Sequence, residues 1–128
     1  MNIDALVTRK ELNRHHHPLT PEQECNFERL YMAVNVLRYE CKMPFIITSG
    51  VRTRDEQSQI NPGKPGSAHV QAAACDILDV DGKIWQWLVD HLDLVQELGC
   101  YLESRVYTPS WVHLQVIAPR SGHTIFLP

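Results

Sequence analysis

Ser67 to Asp76 reads SAHVQAAACD, and this stretch governs the reading of the whole chain. It sets a histidine, His69, and an aspartate, Asp76, seven residues apart across a run of small side chains. Imidazole nitrogen and carboxylate oxygen both suit a borderline ion such as zinc, and a catalytic zinc keeps three protein ligands plus one open position for water. Ala72, Ala73, Ala74 and Cys75 have little bulk, so the backbone can pack closely while His69 and Asp76 turn to one side. Asp76 then leads into Ile77 and Leu78, which read as a buried strand. A third ligand is available far along the chain, His113 in WVHLQV. Each histidine taken alone has a plainer reading as a hydrogen-bonded residue beside an apolar strand. Together the three predict a metal site of His69, Asp76 and His113.

Outward from this stretch, the chain reads as a single α+β domain over residues 1–128, a small antiparallel sheet with two long helices packed against it. The first eighteen residues mix a short turn or helix with loop. Thr20, Pro21 and Gln23 form a helix start with a capping box, and Phe27, Leu30, Tyr31, Val34, Leu37 and Cys41 make one apolar stripe on a helix from Pro21 to Cys41. Pro44 to Thr48 reads as a strand ended by Ser49-Gly50, and Thr53 with Glu56 opens a short helix toward Ile60. NPGKPGS, Asn61 to Ser67, is a surface loop that delivers His69. Ala73 to Leu78 is the next strand, and the acidic DVDG at Asp79 to Gly82 is a turn, since it lacks the ligand spacing of a calcium loop. Lys83 to Leu98 reads as the second long helix, with His91 on its inner face and Gly99 at its end. Gly99 to Glu103 and Trp111 to Ile117 are strands, and Thr124 to Leu127 is a small edge strand.

Composition excludes several classes. A chain of 128 residues that is 44% apolar can bury one core. Its net charge of −3 gives no electrostatic footprint for nucleic acid or for an anionic membrane surface. The four cysteines lack CxxC spacing, and the N-terminus shows neither a signal peptide nor a membrane segment. Synthesis in the cytoplasm is expected. His15, His16 and His17 cannot all point into one site from a regular element, and read as a solvated loop or an adventitious metal binder.

Ser67, His69, Ala74 and Asp76 match an SxHxxGxAxD signature, with Ala72 where that pattern has glycine. FIITSGVRT at Phe45 to Thr53 and WVHLQV resemble a strand with SGxR and a final ligand strand, in the same order. In these features most of the chain resembles the superfamily of zinc D-Ala-D-Ala carboxypeptidases and L-alanyl-D-glutamate endopeptidases, which shares its fold with Hedgehog signalling domains, and in length its short phage-encoded members. The resemblance implies a Hedgehog/DD-peptidase-like fold, Zn2+ held by His69, Asp76 and His113, and hydrolysis of a peptide bond in the peptidoglycan stem by an endolysin or virion-associated enzyme. It also implies action on the wall after release or within a virion, with other phage lysis or virion proteins as partners.

By the same resemblance Arg52, the SGxR arginine, would stabilise the scissile carbonyl oxygen, while its plainer reading is a charge capping the turn. The family's base stands two or three residues before the last ligand, where this chain has Trp111 and Ser110. Neither side chain is a general base. Glu103, the only carboxylate side chain after Glu97, is the substitute, if its strand pairs antiparallel with that of His113; otherwise it is a solvated strand end paired with Arg105. Ser67 would bind substrate backbone or hold its own loop. Gln59 and Gln115 are candidate groove residues, Gln115 because alternation sets it on the face of His113, and Trp111 on that face would wall the cleft or enter the core. Against the peptidase stands a non-catalytic wall-binding or phage structural protein of the same fold that keeps zinc.

Overall fold

Helices start here where side chains supply what the backbone lacks. The computed structural model describes residues 6–128. In a short α1 (Arg9–Leu12) and the long α2 (Pro21–Cys41), Thr8 with Glu11 and Thr20 with Gln23 each close a reciprocal capping box. Four otherwise orphaned amides are thereby satisfied. The stripe of α2 turns inward as expected, with Leu30, Val34 and Leu37 fully buried, and each such leucine contributes about 1.5–3 kcal/mol. The expected capping box of Thr53 and Glu56 opens α3 (Arg54–Ile60).

Five strands form one sheet: β1 (Ile47–Ser49), β2 (Ala74–Leu78), β3 (Tyr101–Glu103), β4 (Trp111–Gln115) and β5 (Ile125–Phe126), in the order β1-β2-β4-β3-β5. The fold is α+β, but the sheet is mixed and not antiparallel as expected, because β5 runs parallel to β3. Both edges of β4 are taken, by β2 and β3. A chain that reverses after β4 therefore runs in the direction of β3, and β5 pairs with the outer edge of β3, one of the two edges the other four strands leave open. Alternation along the strands divides the sheet. Cys75, Ile77, Val112, Leu114 and Leu102 join α2 in one core cluster, while Asp76, His113 and Glu103 belong to the other face.

The expected continuous helix from Lys83 to Leu98 is two, α4 (Lys83–Asp90) and α5 (Leu92–Glu97). The cause is His91. Its Nδ1 bonds the Trp87 carbonyl at 2.8 Å, the acceptor its own amide would use in an α-helix, and that amide goes to Leu88 instead. The ring stacks on Trp87 and is exposed, so His91 does not lie on the inner face as expected. Asp79 anchors the start of α4. Its carboxylate accepts from the amides of Ile84 and Trp85 at 2.9 Å and from Arg105 at 2.8 Å, which makes the DVDG segment a structural turn.

Two contacts seat the loops around β2. Gln23 and Asn26 of α2 donate to the carbonyls of Val70 and Gln71, fixing the turn that follows His69. Gly50 lies against the Leu12 carbonyl at the end of α1, where any Cβ would overlap backbone. Gly50→Ala is expected to cost about 2 kcal/mol or more in urea denaturation. Asp79→Ala, which leaves Arg105 and two helix amides without their acceptor, is expected to cost about 3 kcal/mol. A loss under about 0.5 kcal/mol in either variant would contradict these roles.

Candidate metal centre

Asp76 on β2 and His113 on β4 are directly paired in the antiparallel register, so two residues far apart in sequence meet on the open face of the sheet. His69 arrives from the turn before β2, its carbonyl accepting from the Arg52 amide at 3.1 Å and its own amide donating to Ser67 Oγ at 3.3 Å. Asp76 Oδ1 lies 3.4 Å from His69 Nε2 and 3.1 Å from His113 Nδ1. One potential ligand atom from each of the three residues falls within 4.8 Å of the others. A four-coordinate ion with bonds of about 2.0–2.1 Å separates its ligand atoms by roughly 3.3 Å, close to both of those spacings.

The outer nitrogens decide what the inner ones can do. His69 Nδ1 faces the Gly50 carbonyl at 2.8 Å, a group that only accepts, so Nδ1 carries a proton. His113 Nε2 faces Gln115 Oε1 at 2.9 Å, and that amide is oriented by its NH2 donating to the Ile117 carbonyl at 2.8 Å, so Nε2 carries a proton too. Neutral imidazoles in these tautomers turn two lone pairs, His69 Nε2 and His113 Nδ1, toward Asp76 Oδ1. Without a cation between them, hydrogen bonding to the carboxylate would require two imidazolium ions beside Arg52 in a largely buried site. The residues fit a metal ion.

The protonation of the group follows its surroundings. Burial by itself would raise the Asp76 carboxyl, but the imidazoles of His113 and His69 outweigh it and hold the group far below the ordinary carboxylate range. Burial likewise disfavours charge on His113, yet the Asp76 carboxylate beside it raises its proton affinity above the ordinary histidine value. The buried thiols are not part of this site. Cys75 and Cys100 belong to the core, where burial pushes the first well up and the second up to about 12.

A cleft of about 220 Å3 opens over the three residues, and Arg52, Ser67, Glu103 and Trp111 are among the residues that line it. Arg52 is held at three donors: Nε to Ser49 Oγ at 3.0 Å, Nη1 to Gln57 Oε1 at 3.0 Å and Nη2 to Asp76 Oδ2 at 3.5 Å. Two of its five N–H groups remain free of these bonds. β3 and β4 are antiparallel, with Leu102 opposite Leu114, and continuing that register sets Glu103 level with His113. Arg105 does not pair with Glu103, because Asp79 holds it.

Gln59 is exposed on α3 and absent from the cleft lining; Gln57, two residues earlier, is buried there instead. A helix turns 100° per residue, so two residues two positions apart cannot share a face. Gln115 is buried and turned to His113 and Ile117 instead of the cleft. Lys64 and Asn61 join the lining from the loop. The histidine triplet stays apart: His17 pairs with Glu56 at 2.7 Å, and His16 is exposed. A wider apolar groove, about 730 Å3, lies on the outer face of α2 and includes none of His69, Asp76 and His113.

No protein-family model matches the chain, and no curated protein or solved structure is significantly similar to it.

The pKa directions fix how the metal-free protein responds to pH. Asp76, lowered on folding, stabilises above its unfolded value of 3.8 and loses that contribution as pH falls toward its folded one. His113, raised on folding, stabilises below 6.5 and loses its contribution as pH rises through its folded value. Chelator-treated protein should therefore melt at falling temperature above pH 6.5, as pH rises through the folded value of His113. Metal-loaded protein should gain over it in the same range, because the ion competes with the proton. Equal melting temperatures with and without metal across that range would contradict the site.

Proposed function

We propose that the chain is a zinc-dependent peptidase that hydrolyses a peptide bond in the peptidoglycan stem, of the D-Ala-D-Ala carboxypeptidase or L-alanyl-D-glutamate endopeptidase type. The observation that carries this reading is the pair of imidazole lone pairs converging with one carboxylate oxygen beneath a cleft that Arg52 and Glu103 also line. Two imidazoles and a carboxylate suit zinc, and three protein ligands leave a position for water or substrate. When bound, zinc would supply a Lewis acid that polarises the scissile carbonyl and lowers the pKa of water toward neutrality.

The chain's own residues complete the chemistry. The two N–H groups that Arg52 keeps free stabilise the carbonyl oxygen as negative charge develops on it. Glu103 accepts the proton of the attacking water and returns it to the leaving amine. Ser67 retains a hydroxyl proton for substrate backbone, and the Trp111 indole walls the cleft. Support for a wall substrate comes from the SxHxxGxAxD resemblance. Ala72, where that pattern has glycine, sits at φ 57, a left-handed conformation that glycine adopts without strain. The proposal takes in the Hedgehog/DD-peptidase fold and delivery to the wall by release or within a virion, alongside phage lysis or virion proteins.

One observation favours a second reading, a zinc-holding wall-binding or phage structural protein without catalysis. Ser110 and Trp111 occupy the positions where the family carries its base.

Protein purified without a metal-affinity step should carry one zinc per chain and release amino groups from peptidoglycan in a chelator-sensitive manner. Glu103→Gln should keep its zinc and lose on the order of 10²–10⁴ in turnover. Retained turnover would remove Glu103 from the mechanism, and zinc without any release in the parent chain would favour the binding protein. His113→Ala should lose metal and turnover together; undiminished zinc in that variant would sink the triad.

A further inference from the structure

Gln115 follows His113 by two residues on the same face of β4, buried and engaged at both ends of its amide. Its Nε2 donates to the Ile117 carbonyl at 2.8 Å, so the amide cannot be flipped without setting oxygen against oxygen. Oε1 is thereby turned to His113 Nε2, where it accepts and cannot donate. The neutral ring must keep its proton on Nε2 and its lone pair on Nδ1, the nitrogen 3.1 Å from Asp76 Oδ1. Phe126, edge-on to the ring, offers no competing hydrogen bond.

We infer that Gln115 is a positioning residue that fixes the tautomer and ring orientation of His113 for metal binding through Nδ1. The inference rests on the metal reading of the site and adds to it the nitrogen used and the group that selects it. The matching partner of His69 is the Gly50 backbone carbonyl, which no side-chain substitution removes. Gln115 is thus the outer contact that substitution can test. Partners of this kind typically change metal affinity 10–100-fold.

The test is titration of cobalt(II) into metal-free protein, followed by its visible absorption, for the parent chain, Gln115→Met and Gln115→Glu. Methionine keeps the bulk and removes the acceptor; glutamate keeps an acceptor. Gln115→Met should bind about 10–100-fold more weakly, and Gln115→Glu, which keeps the acceptor toward His113 but sets an oxygen against the Ile117 carbonyl, should lose clearly less than Gln115→Met. Parent-like affinity in Gln115→Met overturns the inference while leaving the metal site standing. An equal loss in both variants, or loss accompanied by collapse of the metal-free fold in thermal melts, overturns it in favour of a structural role. Absence of cobalt and zinc binding in the parent chain overturns the metal reading together with this inference.

Discussion

One carboxylate oxygen faced by two imidazole nitrogens is the contact on which the rest of the site depends. Both rings face accepting groups at their outer nitrogens, so in the neutral tautomers both inner lone pairs turn toward that oxygen, an arrangement that a cation between them satisfies. The surrounding structure supplies those acceptors. The Gly50 carbonyl reaches His69 because the glycine can lie flush against the Leu12 carbonyl at the end of α1. Gln115 reaches His113 because Ile117 orients its amide.

The sheet makes this arrangement compatible with a stable fold by separating its two faces. Strand alternation sends Cys75, Ile77, Val112 and Leu114 into the core with α2, and leaves Asp76 and His113 paired on the opposite side. Burying three ligating groups and Arg52 is costly unless their hydrogen bonds are complete, and here Ser49, Gln57 and Asp76 take three donors of the guanidinium. The same packing brings cleft residues together from separate elements: Arg52 after β1, Glu103 on β3, Trp111 on β4. The candidate metal centre and the core thus occupy opposite faces of the same strands.

What could be read from the sequence was local. The limits of α2 follow from Thr20, Pro21 and a six-residue apolar stripe, and the start of α3 follows from Thr53 and Glu56, because caps and stripes act within a few residues. The candidate metal-holding residues were legible as residue types and as a resemblance, and alternation set Gln115 on the face of His113, though not its amide between His113 and Ile117. Features that depend on distant chain were not legible. The parallel pairing of β5 depends on which open edge of the sheet the chain takes. The interruption at His91 depends on one ring taking the Trp87 carbonyl, and the anchoring of Asp79 depends on Arg105, twenty-six residues later. Choosing Gln57 over Gln59 required the phase of α3 against the cleft, which a seven-residue helix does not declare by its sequence.

A metal ion between His69, Asp76 and His113 is tested most directly by anomalous diffraction at the zinc edge from crystals of protein reconstituted with one equivalent of zinc. A single strong peak is expected about 2.0–2.1 Å from His69 Nε2, Asp76 Oδ1 and His113 Nδ1. A peak at the histidine triplet with none between these three atoms, or coordination through His113 Nε2, would contradict this.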